Sequence, residues 1–114
     1  MNRSDGKVLE LVVFKLVPGV TREHFLQTNE PVSDWISEQP GFISRDLSYD
    51  ADGDRWVDVL WWKTLEEARA ASERALHSDS CTPMFGLIDV DDMLMLHADG
   101  VLRVAPARER AIAG

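Results

Sequence analysis

Two segments of this sequence read as strands that are apolar on both faces, and that feature narrows the fold more than any motif. Residues 8–16 read VLELVVFKL, rich in β-branched and aromatic residues, and run into Pro18-Gly19. Such a run, bounded by a turn signal, is a strand. One side carries Leu9, Leu11 and Val13, and the other Val8, Val12, Phe14 and Leu16. Residues 56–62 repeat the pattern, with Val57, Val59 and Trp61 against Trp56, Leu60 and Trp62. Strands without a polar side belong in a sheet that is covered on both faces.

The segments around them supply that sheet. Thr21 is a good N-cap, and Phe25, Val32 and Ile36 recur at helical spacing up to Pro40-Gly41. Pro31 lies inside this helix and lacks an N–H, which predicts a kink or two abutting pieces near Asn29–Pro31. Residues 42–49 alternate, with Ile43, Leu47 and Tyr49 on one face. The turn Asp50-Ala51-Asp52-Gly53-Asp54 joins them to the second apolar strand as an antiparallel hairpin. Thr64-Leu65-Glu66-Glu67 is a capping box, and its helix carries an inner stripe of Leu65, Ala68, Ala71, Ser72 and Ala75. Thr82-Pro83 starts a short turn or helix, and residues 93–97 form a last strand.

The order β-α-β-β-α-β is the ferredoxin-like arrangement, an α+β fold with an antiparallel sheet. Two helices cover one face of such a sheet. The second face is apolar here, so the economical cover is a second copy packed across a two-fold axis. The chain of 114 residues is long enough for one domain, placed at residues 1–98, with a polar leader at its start. Residues 99–114 form a tail rich in Ala and Arg (Arg103, Arg108, Arg110), interrupted by Pro106 and expected to be largely mobile.

Charge and cysteine content set further bounds. A net charge of −8 disfavours nucleic acid and anionic membrane surfaces as partners. The single cysteine, Cys81, excludes an internal disulfide framework and a cysteine-based zinc site. No apolar run nears the ~18–20 residues of a membrane span. Glu10 and Lys15 interrupt the first apolar stretch, so no signal-peptide core follows the N-terminus. These features predict a cytoplasmic protein, to which the apolar sheet face adds a homodimer.

Three segments carry a family resemblance: residues 8–16 followed by Pro18-Gly19, the link Gln39-Pro40-Gly41-Phe42, and the junction Trp61-Trp62-Lys63-Thr64-Leu65-Glu66-Glu67-Ala68. Over residues 7–98 the chain resembles the dimeric α/β-barrel superfamily, and most of all its small antibiotic-biosynthesis-monooxygenase-like proteins. The resemblance implies a homodimeric α/β barrel with a pocket in each subunit between the sheet and its own helices. Cofactor-independent oxygenases of this type surround a phenolic or quinol substrate with Asn, Trp and sometimes His or Arg. The superfamily also holds decarboxylases, isomerases and heme-degrading enzymes. The heme degraders require a histidine well inside the second helix and an Asn in the first strand. Those places fall here near Cys81 and on Val12, Val13 and Phe14, which argues against heme degradation.

Several residues are candidates for chemistry. Asn29 shares the apolar helix stripe with Phe25, Val32 and Ile36, so it either orients a substrate oxygen or satisfies backbone freed by Pro31. The small residues of the second helix leave room for a flat ligand or draw the helix onto the sheet, and Trp56 and Trp62 share the facing strand side. Glu10 and Asp58 interrupt apolar strands on one face. Each is a general base with a raised pKa or a partner for Arg45. His77 lies in the last turn of its helix, either favoured there electrostatically or acting as a proton acceptor at a pocket mouth. His24 and His97 lie in a first helical turn and at a strand end, and no pair of histidines has metal-ligand spacing. The sequence therefore assigns His77 and Asp58 as catalytic, Asn29, Trp56, Trp62 and Phe25 as substrate-binding, and no metal or cofactor. The expected activity resembles that of a cofactor-independent monooxygenase on a phenol or enol. The alternative is a non-catalytic dimeric ligand-binding or stress-associated protein.

Overall fold

The two doubly apolar segments lie side by side at the centre of one sheet. In a computed structural model, which describes residues 2–3 and 6–107, the strands are β1 (Asn2–Arg3), β2 (Val8–Leu16), β3 (Phe42–Asp50), β4 (Arg55–Trp62), β5 (Ile88–Asp99) and β6 (Leu102–Arg103). The helices are α1 (Arg22–Ser37), α2 (Leu65–Ala75) and the short α3 (Thr82–Phe85). The main sheet has the order β3-β4-β2-β5, antiparallel throughout. This is the ferredoxin-like βαββαβ topology that the sequence predicts. Both central strands are paired along both edges, and their doubly apolar sequence calls for cover on both faces.

Register fixes which side chains face the helices. Val8 pairs with Trp62, Glu10 with Leu60, Val12 with Asp58 and Phe14 with Trp56 across β2 and β4. On the other flank Glu10 lies opposite His97, Val12 opposite Met95 and Phe14 opposite Met93. The helix-facing core divides in two. Phe14, Phe25, Val32 and Trp56 form one cluster with Cys81 and Met84, and Val8, Leu60 and Trp62 form the other with Ala68 and Ala71. The two tryptophans of β4 thus share a face but anchor different clusters.

The opposite face carries Leu9, Leu11 and Val13 of β2, Val57, Val59 and Trp61 of β4, and Leu94 and Leu96 of β5. The central residues are half-buried, while Leu94 and Leu96 are 54% and 38% exposed. Among the described residues no helix packs on this face, and one contiguous apolar surface results.

Four details differ from the sequence reading. First, α1 runs through Pro31 as one helix rather than two abutting pieces. Second, the register shifts between Phe42 and Ser44, so Ile43 is the extra residue of a bulge. Phe42, not Ile43, then joins Leu47 and Tyr49 on the helix-facing side. Third, the last strand extends well beyond residues 93–97, to Ile88–Asp99. Fourth, the leader and the tail are tied together, since Asn2 pairs with Arg103 and Arg3 with Leu102. Arg108 and Arg110 lie outside the described residues.

Gly41 shows how tightly the β3 entry is built. Its φ is +82°, and a Cβ there would run into the side chain of Glu67, which Thr64 holds at the head of α2. Gly41→Ala is expected to lower stability by about 1–3 kcal/mol, from the left-handed backbone and the clash together. Adding Glu67→Ala should return only the steric part. Urea unfolding of the single and double variants checks this.

Candidate functional site

The small side chains of α2 close onto the sheet at Ala68 and leave space farther along the helix, at Ala71, Ser72 and Ala75. A cavity of about 640 Å³ lies between the sheet and the helices. Its roof includes Val32, Trp35 and Ile36 of α1 and Ala71, Ser72 and Ala75 of α2. Its floor is the helix-facing side of β2, β4 and β5. Met93 and Met95 lie along its β5 edge and are 43% and 41% exposed, so the cavity opens there to solvent. The walls are mainly apolar, as in small-molecule sites generally; Arg69, Ser72, Glu73 and His77 enter from the α2 side, and the remaining charged groups stand on the floor.

Those polar groups form two clusters. In the first, Arg45 of β3 grips Asp58 of β4. Arg45 Nε donates to Asp58 Oδ1 at 2.9 Å, and its NH2 donates to Oδ2 at 2.8 Å. The same NH2 donates to Asn29 Oδ1 at 2.7 Å, and Asn29 Nδ2 donates to the carbonyl of Phe25 at 2.8 Å. The carbonyl that Pro31 leaves without its usual donor is that of Gln27, so the Asn29 amide serves the arginine rather than the proline gap. A bidentate arginine in a buried setting is a strong and directional partner for a carboxylate. Its removal would strand a buried charge.

In the second cluster Glu10 of β2 meets His97 of β5 and Ser72 of α2. His97 Nε2 lies 3.1 Å from Glu10 Oε1, and Ser72 Oγ donates to the same oxygen at 3.2 Å. Burial pushes the Glu10 carboxyl above its ordinary value of 4.5. The His97 and Ser72 contacts oppose that rise, and the nearby Asp58 charge adds to it.

The residues singled out by sequence do not all share this cavity. Asp58, His77 and Trp62 line it. His77 is exposed, beyond the C-terminal end of α2 at the cavity wall. Trp62 is buried, and its Nε1 has no hydrogen-bond partner among the described residues. Asn29 instead lines a shallower crevice of about 430 Å³ on the β3 side, with Leu26, Ser33 and Leu47. Arg45 and Ile36 line both spaces and stand between them. Phe25 and Trp56 pack ring against ring, with centroids 4.8 Å apart, and line neither. Sequence reasoning left His97 as a strand end. Its role becomes visible only when the pairing of β5 with β2 sets it opposite Glu10. Among the described residues no three His, Cys, Asp or Glu side chains are grouped to hold a metal ion, and no helix is long and apolar enough to cross a membrane.

No protein-family model and no curated protein matches the chain. Solved structures do. SnoaB, a cofactor-independent oxygenase from Streptomyces nogalater, matches with a TM-score of 0.61 at 19% identity, over 90% of this chain and 98% of that one. The monooxygenase ActVA-Orf6 of Streptomyces coelicolor, in complex with nanaomycin D, matches with a TM-score of 0.66 at 19% identity, over 90% and 95% of the two chains. A dimeric protein of unknown function and ferredoxin-like fold from Bacteroides fragilis matches with a TM-score of 0.61 at 13% identity, over 86% and 99%. The chain has the fold of the antibiotic-biosynthesis-monooxygenase-type structures. One fold hosts many chemistries, so the site must carry the functional argument.

The upward shift of the Glu10 pKa has a consequence for stability. A carboxyl whose folded pKa lies above its unfolded value holds its proton more tightly when folded. Its contribution therefore worsens as pH rises from 4.5 through the folded value. Glu10→Gln lacks this titration. Its stability relative to the wild-type chain should improve as pH rises across that interval, as read from paired unfolding curves.

Proposed function

We propose that the chain is a small-molecule enzyme of the cofactor-independent oxygenase type, acting on a phenolic or enolic substrate held between the sheet and the helices. The observation that carries this reading is the cavity itself, with mainly apolar walls and two clusters of acid–base groups on its sheet floor. The structural likeness to SnoaB and ActVA-Orf6 supports it. A phenol or enol that loses its O–H proton to such a floor becomes an electron-rich anion. That anion reduces O₂ directly, and O₂ supplies the oxygen atom of the product.

The residues take distinct parts in this reading. Trp62 offers a ring wall for a planar ligand. Asp58 is committed to Arg45, which makes it a poor base and a good anchor for a cation beneath the substrate. Asn29 positions that cation from behind. His77, at the cavity wall and exposed, passes protons to water. Phe25 and Trp56 support the floor from the core.

An oxygen electrode and a panel of quinols and polycyclic phenols test the activity. The expected result is O₂ uptake in step with substrate loss. Tight ligand binding with no uptake across the panel would instead make the chain a non-catalytic ligand-binding protein.

The partner in this reading is a second copy of the chain, seated on the apolar face of the sheet. The wild-type chain should sediment as a dimer at micromolar concentration. Val59→Asp, at the centre of that face opposite Leu11, should yield monomer or insoluble protein. A stable wild-type monomer would refute the assembly.

A further inference from the structure

We propose that the proton acceptor of the cavity is His97 working with Glu10, and that the site therefore takes its ligand as the conjugate base of an acidic O–H group. This rests on the reading of the cavity as a phenol or enol site and goes beyond it by assigning the base.

The geometry supports a dyad. His97 lines the cavity, and its Nε2 lies 3.1 Å from Glu10 Oε1. With Glu10 ionised, Nε2 carries the hydrogen and donates to it, which leaves the lone pair on Nδ1. Among the described residues Nδ1 has no partner. A carboxylate that fixes one ring nitrogen as a donor makes the other a directed base. Ser72 donates to the same Glu10 oxygen and holds the carboxylate from the helix side. In the transfer step the ligand O–H bond breaks, its electron pair stays on oxygen, and the proton bonds to Nδ1. The product is an imidazolium beside the Glu10 carboxylate, with the ligand anion in the cavity.

The surroundings favour this partition of roles. From β4, Asp58 faces the same floor but is occupied by Arg45 of β3. From α2, Arg69 and Glu73 line the cavity with opposite charges, and His77 lies just beyond the C-terminal end of that helix. Glu10 is the carboxylate on the floor without a cationic arginine partner. Its electrostatic counterpart is the imidazolium that forms on proton uptake.

The dye para-nitrophenol tests this directly, because its phenolate is coloured and its phenol is not. Wild-type protein should bind it as phenolate and lower its apparent pKa by about one unit, a tenfold shift in ionisation. His97→Gln should bind the dye without that shift, and Glu10→Gln should retain only part of it. Nitrogen-15 spectra of the wild-type protein should show His97 as the Nε2–H tautomer, becoming imidazolium when the dye binds. Binding without ionisation, or a shift that survives His97→Gln and disappears in His77→Gln, overturns the dyad while leaving the cavity a phenol site. Failure of the wild-type chain to bind any phenol overturns the cavity reading and this inference with it.

Discussion

A carboxylate in the middle of an apolar strand is the constraint around which the rest of the structure is arranged. Asp58 lies on β4, among Trp56, Leu60 and Trp62, where an unpaired charge would be costly. Arg45 answers it from the edge strand with a two-pronged grip, and Asn29 answers Arg45 from α1. The chain of contacts thus ties β4, β3 and α1 at one point. It also sets the depth of the cavity, because the guanidinium occupies the boundary between the cavity and the crevice beside β3. The hydrophobic clusters on either side supply most of the burial. The polar chain supplies direction, since a bidentate pair accepts few geometries.

Much of this fold is legible in the sequence. The doubly apolar runs marked the central strands, and Thr21 and Thr64 marked the helix starts, where each does accept a backbone N–H. The open apolar face followed from counting helices against sheet faces. The bulge at Ile43 was not legible, because one inserted residue reverses alternation locally without a change in composition. Nor was the continuity of α1, where packing against the sheet holds the helix together despite one missing hydrogen bond at Pro31.

The site was legible only in part, for a related reason. Residue type and facing can be read along one strand, so Glu10, Asp58 and Arg45 could be marked as polar groups among apolar neighbours. Which of them pair depends on register between strands. Arg45 falls beside Asp58 only through the register of the β3–β4 hairpin, and His97 meets Glu10 only through the β2–β5 alignment. Phe25 and Trp56 have the chemistry of a binding wall, but they pack against each other at a tilt inside the core and line no part of the cavity. Aromatic content alone does not separate core from pocket.

The methionines at the rim add a property of a different kind. Met93 and Met95 flank the opening, and Met84 lies deeper, within 3.9 Å of the Arg45 guanidinium. Thioether chains are unbranched and polarizable, and they conform to ligands of different outline. An entrance framed this way would select weakly by shape, which under the proposed function leaves discrimination to the acidity of the ligand's O–H group. The same sulfurs are open to oxidation, and a sulfoxide at the rim would make a greasy threshold polar. A chamber that handles O₂ would thus carry at its doorway the side chains most readily altered by its by-products.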